Sequence, residues 1–290
     1  MDYHPKVSLE IEGHVFSYKL FEALKVVSKT WSQRKASKIL GISHTVLNRR
    51  IREAEEKLGF KLVITTGAGS GLTDEAIKML QKYEKYKKRL KEREKIVICG
   101  GYISSNLMEI MSIEYGLNSV IYKTSDKEAL YLASLDMIDI LTLDDPVNAF
   151  IHNLDFIPIA YDYMVLFSRG DTTINDINDL NRKNFVEIVD SPQRLAWNTL
   201  DDNKIQYKIT EEFKSPYEAL KFIKNNPKFY TFLSSSLVEG SDILKIDTRH
   251  ILSSVICNKE DKTIKNFLDF ILSYRGQKIV ENNGFESINR

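Results

Sequence analysis

"QRKASKILGISHTVLNRRIREAEEKLGFKL" occupies positions 33–62 and decides how the front of the chain folds. Ser32 and Ser43 stand where helix N-caps belong, and Gly41 and Gly59 stand where helices end. The spacing therefore predicts two short helices with a tight turn between them. The first runs through Ala36, Ile39 and Leu40. The second turns Leu47, Ile51, Ala54 and Leu58 inward at steps of four, three and four. The opposite face of that helix carries His44, Thr45, Asn48, Arg49 and Arg52, with Arg50 toward the side.

Ser37, Gly41 and Leu47 fall at the small, glycine and aliphatic positions of a helix-turn-helix: a small side chain lets the helices approach, and the glycine permits the turn. In that geometry the first turn of the second helix enters a major groove, where Asn and Arg read adenine and guanine edges and further arginines meet phosphates. The competing reading is a small helical bundle with a solvated polar face. On the N-terminal side, "KVSLEIEGHVFS" (6–17) alternates as a short strand or hairpin. Ser17 then opens a helix with Leu20, Phe21, Leu24 and Val27 on one face. On the C-terminal side, "KLVITTGAGSGLTDEA" (61–76) reads as a strand, a glycine-rich turn and a helix start. This describes a wing that brings Thr65 and Thr66 near phosphates. A nucleotide-binding glycine loop is the rival, and it lacks the closing Gly-Lys-Ser/Thr.

The charge distribution agrees with a polyanion partner. Residues 1–95 hold 21 Lys/Arg and 12 Asp/Glu, a balance of +9, whereas residues 96–290 hold 20 and 28, a balance of −8. At 290 residues, with 43% apolar and 28% charged side chains, the chain suits two or three globular domains. No apolar run approaches a membrane span and the N-terminus has no secretory pattern, so a cytoplasmic protein is expected. Cys99 and Cys257 sit in apolar strand-like segments and suggest neither a disulfide framework nor a zinc site.

"LTDEAIKMLQKYEKYKKRLKEREK" (72–95) has no further glycine or proline. Ala76, Met79, Tyr83, Tyr86 and Leu90 recur at three- and four-residue steps, the pattern of a helix that pairs with a second copy. Packing of the stripe on its own domain is the alternative. From Lys95 onward strand and helix patterns alternate, predicting an α/β module with mainly parallel strands and a long closing helix over "DKTIKNFLDFILSYRGQKIVENNGF" (261–285). Three strand-to-helix junctions carry hydroxyls: "GGYISSN" (100–106), "VDSPQR" (189–194) and "FLSSSL" (232–237). Ligands of open α/β sheets bind at such carboxyl ends, where helix N-termini favour anions. Ser104, Ser105, Ser191, Ser234, Ser235 and Ser236 are candidate donors to a ligand, with Arg194 as a candidate charge. Each serine alone also reads as an N-cap.

Positions 36–76 resemble the winged helix-turn-helix of LysR-type regulators, and the preceding hairpin and glycine-rich wing resemble molybdate-responsive ModE-type regulators. This resemblance implies a dimer on a two-fold-symmetric duplex operator, with Ser43 to Arg52 in the recognition position. The closing "KNFLDFILSYRGQKIVENNGF" (265–285) and "SPQR" resemble periplasmic-type ligand-binding domains. They imply two lobes around a cleft, which in the molybdate- and tungstate-related cases holds a tetrahedral oxyanion through serine hydroxyls and backbone amides. "SPQR" departs from the glycine-serine-glycine turn of several such relatives. The expected organisation is a DNA-binding domain over 1–72, a linker and dimerisation helix over 73–94, and an effector domain over 95–290. Lobe I of that domain would take about 95–165 and 250–290, and lobe II about 166–249.

No catalytic constellation stands out. His4, His14, His44, His152 and His250 form no spaced metal-ligand pair, and no nucleophile motif is present. Asp144 and Asp145 in "TLDDP" could ligate a cation or serve acid/base chemistry, and read rather as a cap or turn ahead of Pro146. The sequence therefore predicts a ligand-responsive DNA-binding regulator, without metal or cofactor. Its effector would be a small anion, either molybdate- or tungstate-like or a small organic acid. It would act as a homodimer or tetramer. A small-molecule-binding protein whose basic module makes protein contacts is the alternative.

Overall fold

The computed structural model describes residues 6–67, 69–90, 94–170 and 174–288. The chain divides into two compact units, Met1–Arg93 and Glu94–Arg290.

The first unit opens with an antiparallel hairpin, β1 (Leu9–Ile11) and β2 (His14–Phe16). Three helices follow: α1 (Tyr18–Thr30), α2 (Gln33–Ile39) and α3 (His44–Leu58). The Ser32 hydroxyl accepts from Lys35 N at 3.3 Å and the Ser43 hydroxyl from Val46 N at 3.2 Å, so both serines cap as their positions predict. Gly41 takes φ +66° in the turn between α2 and α3, a region that costs a Cβ-bearing residue energy. Ser37 is buried there, and Leu47, Ile51, Ala54 and Leu58 join Leu20, Phe21, Leu24 and Val27 in one core. The wing is the antiparallel pair β3 (Val63–Thr66) and β4 (Gly69–Leu72), followed by α4 (Asp74–Arg89).

The stripe expected to pair with a second copy is divided. Ala76 and Tyr83 are buried in the unit's own core, where the Tyr83 ring stacks on Phe21 with centroids 4.2 Å apart. Met79 packs against the same core, whereas Tyr86 and Leu90 remain exposed.

The second unit contains two sheets. The first has the order β6 (Ser119–Lys123), β5 (Ile96–Gly100), β7 (Ile140–Leu143), β13 (His250–Ile256), β8 (Ile157–Asp162). The second has the order β11 (Lys208–Phe213), β10 (Asn184–Ile188), β12 (Phe229–Ser234), β9 (Met164–Phe167). The expectation of mainly parallel strands holds for four of the seven strand pairings in these two sheets. β5 is parallel to β6 and β7, and β10 to β11 and β12, but β13 runs antiparallel to both neighbours and β9 antiparallel to β12. The chain changes sheets at Tyr163 and again between β12 and β13, so Met164 and Val165 belong to the second sheet.

Helices α5 (Tyr102–Tyr115), α6 (Asp126–Ser134) and α7 (Val147–Ile151) belong to the first lobe, and α8 (Arg194–Asp202) and α9 (Pro216–Asn225) to the second. The predicted long closing helix is two helices, α10 (Lys262–Leu272) and α11 (Tyr274–Asn282). Ser273 breaks it: its hydroxyl donates to Phe270 O at 2.6 Å and accepts from Gly276 N at 3.2 Å. The buried amide of Gln277 then bonds Ile159 O, Ile271 O, Ser287 Oγ and Ile288 N, fastening the C-terminal segment to the first sheet.

Candidate functional site

Two surfaces carry unsatisfied chemistry. On α3, His44, Thr45, Asn48, Arg49 and Arg52 are exposed along one face. The Asn48 amide lies 3.5 Å from His44 Nδ1, one helical turn away. Arg49 pairs with Glu53 at 3.7 Å and Arg52 with Glu56 at 3.6 Å, and both pairs are open to solvent. Exposed i,i+4 pairs contribute only about 0.3–0.5 kcal/mol, so these guanidiniums are free to exchange a carboxylate for a phosphate. Arg50 differs: its Nη1 donates to Lys19 O at 3.1 Å and anchors α3 to α1. This candidate contact residue thus also ties two helices of the unit together. The Ser43 hydroxyl is spent on its cap. Thr65 lies 3.3 Å from Ser70 Oγ and 3.5 Å from Gln33 Nε2, and Thr66 donates to Gly69 O at 3.4 Å; both threonines are exposed on the wing.

Beneath α3, the carboxylate of Glu55 is nearly buried. It accepts from Leu62 N at 2.9 Å, Val63 N at 3.2 Å and Lys61 Nζ at 2.8 Å. Burial alone would raise its pKa, but the Lys61 ammonium and the two amides outweigh that and hold it below the ordinary value. Glu55 fixes where the wing leaves the helix, and nothing in its local sequence announces this.

The second surface is the cleft between the two lobes of the second unit. It encloses about 40 Å³ open to the centre of a water molecule, room for roughly three waters. Its walls include Tyr102 and Ile103 at the start of α5, Asp126 and Asp144, Asp162 and His250, Ser191 before α8, and Ser234 at the end of β12.

The first of the three hydroxyl junctions is filled from within. Asp144 Oδ1 accepts from Ser104 N at 2.7 Å and Oδ2 from Ile103 N at 3.1 Å, so this carboxylate occupies the helix start where an anion was expected. A Cβ on Gly101 would come within 2.2 Å of Asp144 Cγ, which is why glycine precedes the helix. The hydroxyls of Ser104 and Ser105 are fully buried and meet Thr142 Oγ1, each at 3.1 Å. Asp126 in turn accepts from the amides of Asp144 and Asp145 and from Asn148 Nδ2. Burial holds Asp126 well above the ordinary carboxylate range, and Asp144 beside it adds to the effect. Burial also raises Asp144 and Asp162, partly offset by the amides on the one and by His250 and a serine hydroxyl on the other.

Arg194 does not point into the cavity. It closes the lobes with a two-pronged pair to Asp145, Nε–Oδ2 2.5 Å and Nη2–Oδ1 2.9 Å. Asn106 Nδ2 donates to Tyr217 Oη at 2.6 Å across the same divide. The "TLDDP" carboxylates, read as a cap or turn, are a helix cap and also half of an inter-lobe latch. The remaining candidates separate as well. Ser191 lines the cavity while its hydroxyl donates to Ile188 O, Ser234 and Ser236 bond one another at 2.7 Å, and Ser235 donates to Asp162 Oδ1 at 3.3 Å. Asp126, Asp162 and His250 went unnoticed in the sequence because they lie 36 to 124 residues apart and no spacing rule links them.

Among the described residues no group of three or more His, Cys, Asp or Glu is placed to hold a metal ion, and no helix is long and apolar enough to cross a membrane.

Comparison with known proteins agrees with this geometry. Residues 18–77 match the family described as bacterial regulatory helix-turn-helix protein, lysR family. An HTH-type transcriptional regulator of Methanocaldococcus jannaschii is 32% identical over 252 residues, spanning 82% of this chain and 84% of the relative. Among solved structures, a Corynebacterium glutamicum OxyR C206 mutant superposes with a TM-score of 0.57 at 14% identity, covering 91% of this chain and 93% of that one. A putative phosphate ABC transporter substrate-binding protein with bound phosphate from Clostridium perfringens gives 0.55 at 16% identity, covering 68% of this chain and all of its own. The chain belongs to the HTH-type transcriptional regulators, with a helix-turn-helix of the lysR kind over residues 18–77 and a second unit that shares the two-lobed fold of a periplasmic-type binding protein.

Proposed function

We propose that the α3 face formed by His44, Thr45, Asn48, Arg49 and Arg52 reads operator DNA in the major groove, with Thr65 and Thr66 on the wing against the backbone. The observation that carries this reading is the exposure of these polar groups on a capped helix whose opposite face is the unit's core. Asn48 near the helix start suits an adenine edge, and Arg49 and Arg52 suit guanine or phosphate. Such binding places the protein in the cytoplasm.

The operator-bound form is a dimer through residues 73–94, or a tetramer of two such dimers. Tyr86 and Leu90 support it: they border an apolar groove against Val7, Leu9 and Ile11 of the hairpin that a second α4 can cover. The effector site is the inter-lobe cleft. The sequence favours a small anion there, of the molybdate or tungstate kind or an organic acid, and the neighbouring fold with bound phosphate shows that two-lobed architecture holding one in another protein. Ser191, Ser234 and Lys214 stand at the cavity wall where such a ligand would be met.

A gel shift with the DNA upstream of the protein's own gene tests the operator reading. Sequence-specific binding that Arg49→Ala weakens is the expected result; no binding at low salt contradicts it.

A further inference from the structure

Trp31 holds a conformation that its own side chain disfavours. It closes α1 with φ 49° and ψ 26°, the left-handed region where a helix end usually takes glycine. A bulky residue there costs backbone energy, and burial of its ring would be the ordinary compensation. That compensation is small here, because Trp31 is 67% exposed. Its indole N–H has no acceptor among the described residues. The chain's other tryptophan is the contrast: Trp197 is buried and donates to Glu187 Oε1 at 3.0 Å. A strained, uncovered aromatic points to a role outside the fold.

The backbone of Trp31 is nevertheless tied to the wing. Its carbonyl accepts from Ser70 N at 2.9 Å, which joins the end of α1 to β4. A Cβ on Gly69 would come within 2.5 Å of that carbonyl oxygen, so this close approach needs glycine. A Cβ on Gly71 would lie 3.6 Å from the ring's Cζ3, which places the indole beside β4. Thr65 pairs with Ser70 and Thr66 with Gly69, and Gln33 Nε2 lies 3.5 Å from Thr65 Oγ1. Trp31 therefore adjoins the two threonines proposed to meet the DNA backbone.

The charge of this region fits the same occupant. Residues 23–52 hold eight Lys/Arg and no Asp or Glu, and Lys29, Arg34 and Lys35 around Trp31 are exposed. A duplex backbone offers phosphates to these cations, an acceptor to the indole N–H and a sugar face to the ring. We infer that Trp31 is a DNA-contact residue: its carbonyl holds the wing, and its indole lies on the sugar-phosphate backbone beside the groove that α3 enters. The inference rests on the reading of the front unit as a DNA-binding module. Such a contact adds affinity without reading sequence.

The test is acrylamide quenching of tryptophan fluorescence in the full chain, free and with either the upstream duplex or a random duplex at low salt. Anisotropy titrations of wild type, Arg49→Ala and Trp31→Gly on both duplexes accompany it. Acrylamide reaches exposed Trp31 and not buried Trp197, so the signal belongs to Trp31. Both duplexes are expected to protect it from quenching. Glycine suits the left-handed backbone, so Trp31→Gly is expected to keep its stability while its affinity falls about tenfold on both duplexes alike. Quenching that DNA leaves unchanged, Trp31→Gly affinity equal to wild type, or a loss confined to the upstream sequence overturns the inference. The α3 reading stands in those cases if Arg49→Ala still weakens binding. Failure to bind either duplex overturns both. Wild-type protection decides even if the variant folds poorly.

Discussion

At the scale of single residues, neighbours in sequence take different roles. Arg49, Arg50 and Arg52 look alike in the chain, but only Arg50 reaches back to Lys19 O. Arg50→Ala is expected to lower the stability of the helical unit by about 0.5–1.5 kcal/mol in urea unfolding. Arg52→Ala is expected to leave stability unchanged and reduce the salt slope of operator binding by about one phosphate contact. Glu55→Gln is expected to cost about 1–3 kcal/mol, because two amides and an ammonium lose a charged acceptor. Its pKa is lowered on folding, so the stabilisation is present above the unfolded value of about 4.3 and is lost as pH falls through the folded value. Unfolding of wild type and variant at both ends of that window checks the sign. The exposed face of α3 was legible because a 3.6-residue period places side chains without reference to the rest of the molecule. The partners of Arg50 and of Ser104 were not: they lie 31 and 40 residues away, beyond any local pattern.

Among the elements, α4 shows that a period alone does not name the partner. Ala76, Met79 and Tyr83 do form a stripe, but the chain's own core takes it, with Tyr83 on Phe21. Tyr83→Ala is expected to destabilise the unit by about 3–5 kcal/mol, as removal of a large buried ring does. Leu90→Lys is expected to spare stability and raise the dimer dissociation constant, measured by sedimentation. In the second unit the capped helices and strand runs were readable one by one. The antiparallel course of β9 and β13 was not, because pairing direction depends on where the chain changes sheets. The inter-lobe latch belongs to this scale too. Arg194→Ala is expected to loosen the cleft and cost about 1–3 kcal/mol, less than a fully buried pair because Arg194 is 42% exposed. Hydrogen exchange at the amides of 188–195 reports the opening.

In the molecule as a whole, the charge split of +9 against −8 matches a division of labour between two compact units. The front unit carries the exposed basic groups proposed to meet a polyanion, and the back unit carries a small, acid-lined cavity between lobes held by Asp145 and Arg194. That two such modules share one chain was visible in composition alone. Which groups of the cavity are already partnered within the chain required every donor and acceptor to be placed in space. The central claim is that the α3 face reads DNA. It is tested most directly by fluorescence anisotropy of a labelled upstream fragment titrated with wild type and Asn48→Ala over a range of salt. The account predicts that affinity falls with salt by about 0.9 logarithmic units per phosphate contacted and that Asn48→Ala loses about 1–3 kcal/mol on the specific sequence but little on random DNA. Wild-type binding that ignores salt and sequence, or an Asn48→Ala chain that discriminates as well as wild type, contradicts it.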